Sequence, residues 1–190
     1  MAEFQIHTPD TAPDDAKPLL EDSLKSVGFI PNLHGVFAES PQALEAYKAL
    51  TTIFTQTSLS KIEQNVVWMT INYEHECHYC IPAHTMIAKG AGVPDDEIEN
   101  LREGRPLDDP KLDALRTFTR TMVDKRGNVA DADIDAFMAA GFSKRNVLDV
   151  VVGMAHKVMS NYTNHFTHTE VDAPFAQFAW TPPSQRTAAE

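Results

Sequence analysis

Apolar residues recur three and four positions apart over most of the chain, the spacing that gathers side chains on one face of a helix. From Asp14 the set Ala16, Leu19, Leu20, Leu24 and Val27 predicts a first helix closed by Gly28. A turn at Pro31 leads to a short helix with Asn32 as its expected N-cap. Ser40-Pro41 is a second start signal, and Leu44, Tyr47, Leu50 and Phe54 give that helix an apolar face ending near Thr57. Ser60 and Glu63 have the spacing of a capping box, and the run Val66 to Ile71 leaves so little polar face that the helix behind them should be central and buried. Pro94-Asp95 opens a short acidic helix to Leu101. Leu112, Leu115, Phe118, Thr119 and Met122 restart the period until Gly127. Asp131 is the expected cap of a helix holding Ile134, Phe137 and Met138, closed by Gly141, and Ser143 caps the next. The valine-rich run from Val147 could form a strand, but its flanks and its continuation through His156, Val158 and Met159 favour a long helix. No hairpin spacing and no strand-helix alternation appears, so the class is all-α. The boundaries are an extended arm over 1–13, one helical domain over 14–175 and a tail over 176–190 whose last residues should be mobile.

At 190 residues the chain is long enough for one core of its own, and 43% hydrophobic with 23% charged residues is an ordinary globular balance. The formal charge of −11 argues against nucleic acid or an anionic membrane as a partner, because either would require a basic patch. No run is long enough to span a bilayer, and the start MAEFQIHTPDT has no basic or apolar leader region, so a cytoplasmic location is expected.

What changes the picture is the stretch EHECHYCIPAHTMIAKG, from Glu74 to Gly90, which holds both cysteines and three of the eight histidines. Pro82 is tolerated only in a first helical turn, which puts Cys80 at or just before a helix start. There the unpaired N–H groups and the positive end of the helix dipole favour a thiolate. His84 follows Cys80 by four residues and shares its face, and Gly90 should close the helix at C′. Cys80 is the candidate nucleophile, Cys77 its resolving partner, and His84 a base or proton carrier. Two plainer readings stand beside this one. The cluster could be a zinc half-site, although the chain offers no second cysteine pair, or the thiols could be small apolar core residues. No metal and no organic cofactor is expected.

These residues are familiar. GFIPNLHGVFAESPQALEAY followed by LSKIEQNVVWMTINYEHECHYCIPAHTMIAKGAGVPDDEI resembles the alkylhydroperoxidase D-like branch of the carboxymuconolactone decarboxylase family, most specifically in Cys77-x-Tyr79-Cys80-x-x-x-His84. With the SNYTNH stretch near Asn161 the resemblance runs from Gly28 to about Asp172. It implies a compact helical bundle that assembles as a homo-oligomer. It also implies hydroperoxide reduction, in which the cysteine matching Cys80 attacks the peroxide, that matching Cys77 closes a disulfide, and the histidine matching His84 relays protons. The chain departs from the family at Asn65, which stands where the relay glutamate is expected and cannot take a proton at neutral pH. Glu63 is better explained by the capping box, leaving Glu74 or Glu76 as the substitute, with Glu74 favoured. His75 and His78 are expected at exposed positions, and Tyr79 as a wall of the site. Asn161, Asn164, His165 and His168 could line a pocket or an oligomer contact.

The expected function is therefore a cysteine-dependent peroxidase in antioxidant defence, taking a small hydroperoxide and reduced by a dithiol or protein reductant whose identity is not written in the chain. The alternatives are a carboxymuconolactone decarboxylase-like lyase, in which the cysteine pair would be idle, and a redox-sensing or interaction protein using the same pair.

Overall fold

The computed structural model describes residues 3–186, and among these every regular element is helical. The α-helices are α1 (Lys17–Val27), α2 (Asn32–Phe37), α3 (Pro41–Thr55), α4 (Lys61–Glu74), α5 (Cys80–Gly90), α6 (Asp95–Arg102), α7 (Pro110–Asp124), α8 (Asp131–Ala139) and α9 (Lys144–Thr167). Short 3-10 turns at Ala173–Phe178 and Pro183–Gln185 follow.

Local chemistry sets most of the ends. The Ser60 hydroxyl accepts the Glu63 N–H while the Glu63 carboxylate accepts the Ser60 N–H, so two orphan donors of α4 are satisfied at once. Ser143 and Asn146 do the same for α9. Gly28, at φ 90°, closes α1 by donating to the Leu24 carbonyl. Three expected ends are corrected. Asn32 is the first residue of α2 rather than its cap, and its own N–H donates to the Asp172 carboxylate while its side-chain amide donates to the Glu170 carbonyl. Asp131 is likewise the first residue of α8, whose capping carboxylate is Asp133, accepting the Ala130 N–H. Gly90 lies inside α5, and the left-handed residue that turns the chain is Gly92, at φ 81°.

Helix α4 is the axis of the molecule, buried from Gln64 to Asn72 and packed against α5, α7 and α9. One core surrounds it, with Phe54, Met69 and Ile71 fully enclosed and Phe118, Phe137 and Phe142 stacked. Each such side chain contributes roughly 2–3 kcal/mol by leaving water. The valine-rich stretch is the middle of α9, as its flanks predicted. Gly153 lets α9 approach: a Cβ there would lie 2.8 Å from both Phe54 and Val67 side-chain carbons.

A second core, built from α1 to α3 and the C-terminal segment, encloses Cys77, Tyr79 and Cys80 among Leu20, Leu33, Leu44 and Phe175. The face predicted for α1 is only partly used, since Leu24 and Val27 remain exposed. Over its described part the arm lacks regular structure through residue 8 and then turns, the Thr11 and Ala12 N–H groups donating to the Thr8 carbonyl. His7 is buried, its N–H donates to the Gly35 carbonyl, and its Nε2 lies 2.7 Å from the Glu39 carboxylate. The expected mobility of the last residues falls outside those described.

Candidate active site

The α4 helix ends at Glu74, and Glu76 takes the left-handed conformation at φ 51°, which swings the chain into α5 with Cys80 as its first residue. Pro82 sits in that first turn, where it breaks no helical bond. The Cys80 N–H donates to Cys77 Sγ at 3.4 Å. Both thiols are free and buried. Their surroundings are unequal. Cys80 lines a cavity of about 420 Å³ together with His84 and Lys157 and with the apolar Leu33, Met86 and Phe175, whereas Cys77 is not among the residues lining it. Asn164 of α9 donates to Cys80 Sγ at 3.3 Å and lies 3.9 Å from Cys77 Sγ.

The electrostatics separate the thiols further. Burial by itself would raise Cys80. It is outweighed by the hydrogen bond from Cys77, the charge of Lys157 and the polar side chains of Asn161 and Ser160, which bring the thiol down to about 6. Cys77 goes the other way, raised by burial and by the neighbouring Cys80. His84 is held well below the usual imidazole range by burial, then by Lys157 and His156, so its neutral form prevails. Its Nε2 lies 2.9 Å from Lys157 Nζ. An ammonium has only protons to offer, so Nε2 accepts and the ring proton sits on Nδ1, which has no partner. The Trp68 ring packs edge-on against His84, its centroid 5.1 Å away.

The other expected residues divide. Tyr79 is in the wall, its hydroxyl donating to Asp172 across 93 residues of sequence. Asn161 and Asn164 are buried at the thiols, while His165 and His168 stand outside. His75 and His78 are not the exposed residues expected: each is partly covered, His75 bonded to Asn161 and His78 to the Thr169 carbonyl. Glu74 is not brought to the thiols. As the last residue of α4 it faces α7, where its carboxylate is 3.5 Å from Arg120, and burial raises it. Glu76 accepts from the Ser184 N–H and hydroxyl, tying down the tail. Asn65 donates to the Lys61 carbonyl and supplies no charge. Among the described residues no three His, Cys, Asp or Glu side chains group around a common point suited to a metal.

Sequence reasoning missed Lys157. A lysine in a helix reads as solvated surface, yet Val150, Gly153, Lys157, Ser160 and Asn164 lie three and four apart, and all are buried. That phase was the available signal.

Comparison with known proteins agrees with this architecture. Residues 38–115, from the approach to α3 through the first turns of α7, match the model of the Carboxymuconolactone decarboxylase family. Among solved structures, the chain is similar over 91% of its length, and 93% of the other, to an uncharacterized peroxidase-related protein with an alkylhydroperoxidase AhpD core from Ralstonia eutropha JMP134, at TM-score 0.81 and 19% identity. A peroxidase-related protein from Silicibacter sp. TM1040 aligns over 92% of each chain with TM-score 0.77 and 21% identity. The debrominase Bmp8, in complex with 2,3,4-tribromopyrrole, aligns over 93% of this chain and 95% of its own with TM-score 0.77 and 14% identity. The chain thus has an alkylhydroperoxidase D-like fold, and the family resemblance read from its motif holds. No curated protein is a significant match. No helix among the described residues is long and apolar enough to cross a membrane.

Proposed function

We propose that the protein is a thiol-dependent hydroperoxide reductase. The observation that carries the reading is the asymmetry of the pair: Cys80 meets the cavity and is drawn toward the thiolate, while Cys77 stands behind it, 3.4 Å from the Cys80 nitrogen, and stays protonated. The Cys80 thiolate attacks the distal peroxide oxygen, the O–O bond breaks, and the leaving alkoxide takes a proton arriving through the His84–Lys157 contact. The products are an alcohol and the Cys80 sulfenic acid. The Cys77 thiol then displaces water from that sulfur to close a disulfide, and an external dithiol, oxidised in turn, restores both thiols. A cavity of about 420 Å³ with largely apolar walls takes an organic hydroperoxide rather than a charged one. Such a cycle must begin from two thiols, which suits a reducing, cytoplasmic setting.

Assembly into a homo-oligomer is part of this reading. Leu148, Val151, Val158, Tyr162 and Phe166 form an exposed apolar stripe along α9, the outer face of the helix whose inner face carries Lys157 and Asn164.

Cysteine variants test the assignment. Cys80→Ser should abolish peroxide consumption, whereas Cys77→Ser should oxidise once at Cys80 and stop short of an intramolecular disulfide. Mass spectrometry of the oxidised Cys77→Ser protein decides, and an unmodified Cys80 there would reverse the roles. Continued turnover with a dithiol separates an enzyme from a redox sensor, which would oxidise once. A lyase would be indifferent to either substitution.

A further inference from the structure

Lys157, midway along α9, has 0% of its surface exposed. Lysine is almost never fully enclosed without an anionic partner, because an unpaired buried ammonium is strongly unfavourable. Its Nζ contacts His84 Nε2 at 2.9 Å, and none of the described carboxylates lies within ion-pair distance of it. The groups gathered around it explain what the anion is. From α5 and its approach come Cys80, His84 and Cys77; from the residue that follows α4, His75; from α2, His34; from α3, Tyr47 and Lys48; and on α9 itself, His156. The imidazoles can only be neutral or positive. Lys48 is already paired with Asp22 at 2.6 Å, and the Tyr47 hydroxyl is held protonated by burial. The two thiols remain, and of these only Cys80 shares the cavity wall with Lys157.

We infer that Lys157 is a positioning residue: its ammonium is the counter-ion of the Cys80 thiolate and keeps His84 as a neutral hydrogen-bond acceptor beside it. Position 65 contributes no charge to this arrangement, since Asn65 is neutral and bonded to its own helix. The charge of Lys157 acts on both partners in the required sense, lowering the Cys80 thiol and the His84 imidazole. This rests on the thiol reading of the site but not on peroxide being its substrate.

The test is a titration of Cys80 in the full-length reduced protein, without peroxide, by the pH dependence of alkylation with a small neutral haloacetamide and peptide mapping to assign the modified thiol. Lys157→Met keeps the stem and removes the charge. It should move the Cys80 midpoint upward by at least about one pH unit, a loss of thiolate of about twofold at pH 7 that approaches tenfold below the native midpoint, and Lys157→Arg should restore part of the shift. A Lys157→Met protein with native circular dichroism that titrates as the native one does overturns the inference. If Lys157→Met does not fold, Cys80→Ser gives a second reading. The gap in melting temperature between native and Cys80→Ser proteins should widen as pH rises through the native thiol's midpoint, because the serine leaves Lys157 without its anion. A gap independent of pH overturns the inference as well. Failure of the peroxidase reading would look different: a Lys157-dependent thiolate in a protein that consumes no hydroperoxide.

Discussion

Mild acid should weaken this protein before its carboxylates titrate. His34, His84 and His156 are displaced downward by burial first, and then by nearby cations. A histidine kept neutral in the fold takes up its proton more readily in the unfolded chain. Its contribution to stability is therefore complete above the unfolded value near 6.5 and is lost as pH falls below it. His34, held at about 4, sets the scale. Going from about pH 7 to about pH 5 withholds most of a proton from it, at a cost of about 2 kcal/mol. His84 and His156, more deeply enclosed and lowered for the same reason, act in the same sense. Glu74 and Asp172, raised by burial, act in the opposite sense, but mainly at lower pH. With a urea m-value of about 2 kcal/mol per molar, the unfolding midpoint should fall by about 1 M for His34 alone, with His84 and His156 moving it further the same way. Urea melts followed by Trp fluorescence at fixed ionic strength measure it. His156→Gln should remove part of the slope. A midpoint unchanged over this range would refute the account of the buried imidazoles.

Three further outcomes are expected. Gly153→Ala should destabilise the protein by about 1–3 kcal/mol in a chemical melt, because its Cβ would press on Phe54 and Val67 at 2.8 Å where α9 crosses α3 and α4. Glu74→Gln should leave Cys80 alkylation at neutral pH unchanged, since its carboxylate is given to Arg120; a slowed alkylation would restore Glu74 to the relay. His84→Ala should slow oxidation of Cys80 by about 100- to 10,000-fold at preserved circular dichroism. A drop in melting temperature with unchanged thiol reactivity would instead make it a packing residue.

Helix positions were legible wherever the sequence carries its own stop or start, as at Gly28, Ser60 with Glu63, and Ser143. The errors at Asn32 and Asp131 differ in cause. The carboxylate that accepts the Asn32 N–H is Asp172, 140 residues away, whereas at α8 the carboxylate that reaches back to the Ala130 N–H is Asp133, two residues beyond the expected cap. The thiol pair was legible for the same local reason, because Pro82 fixes the start of α5. The charged partner was not. Glu74 is close to Cys77 in sequence, but the left-handed Glu76 between them sends the two side chains to different neighbours, Arg120 and Asn164. The phase of α9 marks Lys157 as buried, but that it meets His84 follows from the packing of α9 on α3 and α4, a tertiary fact.

The most direct measurement on the central claim is a count of free thiols before and after one equivalent of an organic hydroperoxide, on protein assayed for metal in the same preparation. Two thiols per chain should fall to none, with alcohol formed in equal amount and no dependence on bound metal. Two thiols surviving in the presence of unconsumed hydroperoxide would contradict it.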